Sequence, residues 1–234
     1  MAEENAWAEL QNRARIFGDR WPLRLSGNRL TRRAPANVDL YLYRFLCLCG
    51  VGSIEPADRR LFEVLSVDLL GAFTGCPSLH LGHPASTGMD PSFRKRIERY
   101  ILDSGLLKTE IKAAPLSDDM DLGLDGASWK RFRDPRGGDL HFLIQCATGS
   151  DWTGKLHDLD LGVWSDHLNW GVTPIRVLSV PFFVSVSEAK WVRYCREAGV
   201  LLDRPRLLEL ASAKALAPGV ARLLRTRVTA LSVA

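Results

Sequence analysis

Apolar and polar positions alternate most cleanly between residues 140 and 147. Leu140, Phe142, Ile144 and Cys146 fall on one side, and His141, Leu143, Gln145 and Ala147 on the other. Spacing of period two predicts a strand. Both sets are largely apolar, so the strand is expected inside a sheet with layers on both faces. Just upstream, residues 134–138 read Asp-Pro-Arg-Gly-Gly. This is turn chemistry, because proline fixes φ and glycine permits positive φ. Before the turn, Asp125, Ala127 and Trp129 share one face of a second strand. The two segments predict an antiparallel hairpin whose register the sequence leaves open.

Helical spacing organises most of the remainder. Residues 57–73 place Leu61, Val64, Leu65, Leu69 and Leu70 on one stripe. Residues 38–49 are apolar and predict a helix that 50–56 breaks. Residues 91–104 predict a helix capped by Asp90 and closed near Gly105, with 71–91 as a loop before it. A further helix is expected to start at Ser150-Asp151 and carry Trp152, Lys155 and Leu156. Residues 175–184 predict a core strand, 187–198 a helix stopped by Gly199, and 200–202 a short last strand before two C-terminal helices. Residues 1–33 are polar, with a short helix expected near 6–16. The whole predicts an α/β (α+β) fold, a central mixed β-sheet flanked by helices. Residues 1–54 are expected to form an N-terminal helical extension and 55–234 the main domain.

The region between the two hairpin strands and its flanks carries the chemistry. Asp121-Leu122-Gly123-Leu124-Asp125 leads into the first strand, and Gln145 is a polar residue on an otherwise apolar one. A buried polar group is costly without partners, and an antiparallel pairing would bring the Asp125 carboxylate near the Gln145 amide. The run resembles the D-x-G-x-D signature of Mrr-like members of the PD-(D/E)XK restriction-endonuclease superfamily. The resemblance spans roughly residues 57–160. It implies a restriction-endonuclease-like fold with Asp125 as a metal ligand. It also implies that Gln145, standing for the acid or amide of the E-x-K or Q-x-K motif, lies beside the metal.

Ala147 stands where the motif lysine is expected. Family lysines also occur on the following helix, which makes Lys155 the replacement. Glu63, in Arg60-Leu61-Phe62-Glu63-Val64-Leu65, resembles the glutamate of the first core helix. The implied catalytic set is Asp125, Gln145, Lys155 and Glu63. Asp125, Glu63 and Gln145 would hold Mg²⁺ (or Mn²⁺), with Asp121 in a supporting role. Hard cations prefer oxygen ligands, and Gln145 offers only a neutral carbonyl, so one metal is expected rather than two. Lys155 would act as a point charge on the water or the phosphate.

The activity implied is metal-dependent hydrolysis of phosphodiester bonds in DNA, with a role in bacterial defence against foreign DNA. Implied partners are DNA and either a second copy, as a homodimer, or a partner subunit of a defence system. The departures at Gln145 and Ala147 leave a second reading open. In it the nuclease fold is degenerate and binds nucleic acid or protein without cutting. A purely structural subunit of a larger complex is a third.

Composition changes this picture little. The chain has 234 residues, 46% hydrophobic and 25% charged, ordinary for a soluble globular protein. A net charge of +4 is no nucleic-acid signature by itself. Arginines cluster at Arg13, Arg15, Arg20, Arg24, Arg29, Arg32 and Arg33, and basic residues recur between 204 and 227. These are either phosphate-facing patches or solvated surface. Trp129, Trp152, Trp164, Trp170 and Trp191 fit core packing better than base stacking. Cys76, His80 and His83 form C-x3-H-x2-H, but no fourth ligand is evident and the stretch reads as a loop rather than a zinc site. No secretory leader or apolar run of about 18 residues is present. Five cysteines without framework spacing fit a reducing compartment. A cytoplasmic protein without membrane contact is therefore expected.

Overall fold

The computed structural model describes residues 2–33, 38–51, 54–83, 85, 88–106, 122–213, 216 and 218–231. Its elements run α1 (Ala2–Phe17), β1 (Leu23–Ser26), β2 (Arg29–Arg32), α2 (Val38–Cys49), α3 (Pro56–Thr74), β3 (Ser78–His80), α4 (Phe93–Ser104), β4 (Gly126–Lys130), β5 (Leu140–Cys146), α5 (Leu161–His167), β6 (Ile175–Ser179), α6 (Glu188–Ala198), β7 (Val200–Leu202), α7 (Arg204–Ala213) and α8 (Pro218–Leu231), with 3-10 turns at Gly18–Arg20 and Trp152–Lys155. The fold is α/β, a mixed five-stranded sheet in the order β3-β4-β5-β6-β7 flanked by helices. β4 is antiparallel to both β3 and β5, while β5, β6 and β7 run parallel to one another.

The alternation in β5 does what its period requires. Ile144, with Phe142 and Cys146 beside it, joins a core built from α2, α3, α7 and α8. Leu143 faces the other way, into a cluster with Ala127, Trp129, Ile97, Tyr100 and Trp164. Ala147 closes a third cluster with Leu156, Leu178, Tyr194 and Leu201. The sheet is therefore covered on both faces. Trp129 and Trp164 are buried core residues, as their packing role requires.

Residues 1–54, expected as a helical extension, also contain the β1–β2 hairpin. Phe17, Trp21, Leu42, Phe45 and Leu46 enter the same core as α3 and α7. Other local expectations change too. The stretch taken as loop at 71–91 contains β3, paired with β4 through His80↔Gly126. Three residues are too few to display a period. The cap of α4 is Ser92, whose hydroxyl accepts from Lys95 N–H, while Asp90 instead accepts from Ser92 N–H at 2.9 Å. The strand expected over 175–184 ends at Ser179; Val180 N–H still donates to Leu202 O at 2.9 Å, and Pro181, which has no N–H to donate, follows. The helix expected from Ser150 is a single 3-10 turn, Trp152–Lys155, and α5 follows it.

Many arginines that looked available for phosphate are structural. Arg204 donates to the carbonyls of Pro181 and Leu46, and Arg227 pairs with both oxygens of Asp58, at 2.6 and 2.8 Å. Arg206 donates to Leu201 O and lies over the Trp191 ring, and Arg33 pairs with Asp19. None of the five cysteines, all of them described, forms a disulfide. Among the described residues no helix is long and apolar enough to cross a membrane.

Candidate active site

Asp125 immediately precedes β4 and ties three strands together. Its N–H donates to Ile144 O at 3.0 Å, and its carbonyl accepts from Leu81 N–H and Gly82 N–H at 2.7 and 3.0 Å. Its Oδ2 accepts from Cys146 N–H at 2.6 Å. The β4–β5 register pairs Gly126 with Ile144 and Ala127 with Leu143. Asp125 lies one residue beyond the last of these pairs, where its N–H reaches Ile144 O instead of continuing the register, and the Gln145 amide nitrogen lies beside Gly123.

The approach to Asp125 is conformationally demanding. Leu122 has φ +49° and Gly123 φ +75°, both in the left-handed region that costs a residue with a Cβ about 1 kcal/mol or more. A Cβ on Gly123 would also be crowded, 3.2 Å from both Gln145 Nε2 and Asp158 O. The glycine of the D-x-G-x-D run thus has two physical reasons. Asp121, the first residue of that run, lies outside the described residues.

Glu63 reaches the same end of the sheet from α3. It is buried rather than solvated, and its Oε2 lies 3.3 Å from His80 Nε2. Between these groups sits Gly82. A Cβ on Gly82 would lie 2.8 Å from Asp125 Oδ1, 3.2 Å from His80 Nε2 and 3.3 Å from Glu63 Oε2. Two carboxylates and an imidazole, each on a residue about 8% exposed, thus surround one point that a side chain at this position would fill. The donor chemistry suits a divalent cation. The side chains are not drawn in as a finished shell. Among the described residues no three His, Cys, Asp or Glu groups are set to hold a metal ion as they stand.

The backbone of this loop is held from behind. Arg96, 1% exposed, donates to Leu81 O at 3.0 Å and Gly82 O at 3.3 Å, and to the carbonyls of Asp90 and Pro91 at 2.8 and 2.9 Å. A guanidinium carries five donors in a rigid fork, which lets one side chain fix both ends of the loop.

Lys155 is half exposed, and its ammonium pairs with Asp158 Oδ2 at 2.8 Å. The Asp158 hydrogen bond raises its pKa, and the charges of Asp158, Asp151 and Asp125 add to it. Lys155 therefore feels the Asp125 carboxylate while being held by another. Ala147, at the motif-lysine position, is buried. The C-x3-H-x2-H residues do not converge: Cys76 donates to Thr74 O, His80 meets Glu63, and His83 is exposed.

Sequence reasoning missed Gly82, Arg96 and Asp158, and it weighed His80 only for zinc. The one legible signal was that His80 and Gly82 stand within a run otherwise lacking pattern. No protein-family model, curated protein or solved structure matches the chain.

Proposed function

We propose that this protein is a divalent-metal-dependent nuclease hydrolysing phosphodiester bonds in DNA, with a restriction-endonuclease-like arrangement of its sheet and site. The observation that carries the reading is the convergence of Asp125 and Glu63 beside Gly82. Asp125, Glu63 and the Gln145 carbonyl would hold Mg²⁺ or Mn²⁺. When bound, such a cation activates water and offsets charge on the phosphate.

The remaining steps belong to the chain. Cys146 N–H fixes the Asp125 carboxylate through Oδ2 and leaves Oδ1 turned toward Glu63 and His80. Lys155 exchanges its Asp158 partner for a phosphate oxygen and stabilises the charge that grows there in the transition state. Cutting both strands of a duplex favours two copies, and a place in bacterial defence is part of the same proposal.

A second reading has its own support. Lys155 is engaged by Asp158, and no lysine replaces Ala147 in its buried position. In that reading the domain binds nucleic acid or a partner protein without cutting. Plasmid cleavage with Mg²⁺, Mn²⁺ or EDTA, comparing the wild type with Asp125→Asn, decides between them. Metal-dependent cutting lost in the variant supports the nuclease. Absence of cutting with every metal supports the binding role and sends the search to partner subunits.

A further inference from the structure

We infer that the β1–β2 hairpin is a DNA-binding ribbon whose outer face, Arg24, Ser26, Arg29 and Thr31, lies in the major groove of duplex DNA. The inference rests on the nucleic-acid reading above, needs no cleavage, and names the surface that holds the duplex.

The two faces follow from the register. Leu23 pairs with Arg32, Arg24 with Thr31, Leu25 with Leu30 and Ser26 with Arg29. Residues directly opposite in an antiparallel pair point to the same side, and the side alternates along each strand. Leu23, Leu25 and Leu30 therefore share one face with Arg32, and Arg24, Ser26, Arg29 and Thr31 form the other. All four of the latter are exposed, whereas Leu23 and Leu25 are partly buried and Leu23 packs against the main core. A two-stranded hairpin is marginal alone, and this one is tied down at its base. Arg33 N–H donates to Pro22 O at 2.9 Å, and the Arg33 guanidinium holds the Asp19 carboxylate at 2.9 Å. Trp21, 2% exposed, donates to the Tyr43 hydroxyl. The far end, Gly27-Asn28, is exposed.

Charge selects the partner. Residues 22–33 hold four arginines and no aspartate or glutamate. Arg33 is paired with Asp19, but among the described residues Arg24, Arg29 and Arg32 form no ion pair. Arginines elsewhere in the N-terminal region are compensated, Arg13 by Glu9 at 2.8 Å and Arg20 by Glu209 at 3.8 Å. Arg24 and Arg29 are diagonal neighbours on one face, about 7–8 Å apart, and a polyanion relieves their repulsion. Shape then places the duplex. Paired strands lie about 4.8 Å apart, and such a ribbon is admitted by the major groove of B-DNA, about 12 Å wide, rather than by the minor groove, about 6 Å wide. Arginine is the bidentate partner of guanine O6 and N7, and serine and threonine meet base edges of either kind. Every side chain of the outer face thus has a use at the groove floor, and Arg32 on the opposite face is left for a phosphate. The major groove of duplex RNA is deep and narrow, and side chains cannot read it, so DNA is the duplex this ribbon fits.

The test uses the full chain in EDTA, so that cleavage plays no part, and a short labelled DNA duplex read by fluorescence anisotropy from about 50 to 200 mM salt. Arg24→Gln/Arg29→Gln is set against Arg222→Gln/Arg225→Gln, which removes the same charge from exposed positions of α8. The hairpin variant is expected to bind at least about ten-fold more weakly than the wild type, and the α8 variant to stay within about two-fold of it. Arg32→Gln should lower the slope of log K against log salt by about 0.9. The wild type should shield guanine N7, a major-groove atom, from methylation by dimethyl sulfate, and the hairpin variant should not. Duplex RNA of the same length should compete at least about ten-fold less well than DNA. Circular dichroism checks folding, and Arg29→Gln alone replaces the double variant if that one unfolds. Affinity unchanged in the hairpin variant, or equal losses in the hairpin and α8 variants, overturns the hairpin assignment and leaves the nucleic-acid reading standing. Guanine N7 left open by the wild type, or equal competition by RNA, overturns the groove placement. Absence of DNA binding by the wild type overturns both the inference and the reading beneath it.

Discussion

Asp125 uses its two oxygens differently. Oδ2 is anchored by Cys146 N–H, while Oδ1 faces Glu63 and His80 across Gly82. Asparagine can keep the anchor and removes a charge from a buried carboxylate pair. Asp125→Asn is therefore expected to leave stability unchanged or raise it, because like charges close together disfavour each other, while cleavage falls by about 10³-fold or more. Urea denaturation beside the plasmid assay reads both. A loss of stability above about 2 kcal/mol would make the carboxylate structural rather than functional. Lys155 divides in the same way. Its exposed pair with Asp158 contributes about 1 kcal/mol at most. Lys155→Ala should barely move the unfolding midpoint, yet should slow cleavage about a hundred-fold with DNA affinity nearly intact. Asp158→Asn frees the lysine and is expected to hold or raise the rate. A slower Asp158→Asn would show that the carboxylate itself serves the site.

The elements show what the sequence made legible. β5 and α3 were readable because each repeats its period long enough to separate two faces. The antiparallel pairing of β4 with β5 followed from that period and from the turn between them. β7 was readable as three residues between Gly199 and Arg204 because the preceding helix has a clear stop. β3 was not, since a strand as short as Ser78–His80 is defined by its partner β4 and not by its own pattern. Arg96 was hidden for a similar reason. Nothing in its helix marks a buried arginine whose ligands are carbonyls of a distant loop. The close packing of α3 on β4 was likewise invisible, because Gly126 gives only the absence of a side chain. A Cβ there would overlap the Val67 methyl and approach Leu79 O to 3.0 Å. Gly126→Ala is expected to cost about 1–3 kcal/mol by overpacking. The Val67→Ala change made in the same chain should recover part of that. Two losses that simply add would show that the two positions do not press on one another.

At the scale of the whole molecule, two buried titratable groups oppose each other. Burial pushes the Asp203 carboxyl up to about 6, against hydrogen bonds from Arg206 N–H and Val184 N–H. Burial pushes His141 down to about 4, against the pull of Asp139, while Nδ1 meets the Tyr100 hydroxyl. A raised carboxyl contributes stability that is full below its unfolded value near 4 and lost as pH rises through 6. A depressed imidazole contributes stability that is full above its unfolded value near 6.5 and lost as pH falls through 4. Each is worth at most about 3 kcal/mol, and between pH 4 and 6 they nearly cancel. Asp203→Asn, which keeps an N-cap side chain for α7, should make stability rise more steeply with pH across that window. His141→Gln should make it rise less steeply or fall. Urea midpoints at pH 4, 5, 6 and 7 measure this, and slopes changed in the same direction by both variants would refute the opposition. The outline of the sheet bears on assembly as well. Its two outer strands, β3 and β7, are three residues each and offer too short a row of unpaired backbone groups to template another strand. Growth of this sheet by edge addition is thereby disfavoured. Under the two-copy nuclease proposed above, a second copy would be met through surfaces other than these strand edges, so the span between the two sites would be set by side-chain docking and could be retuned by surface substitutions without touching the sheet.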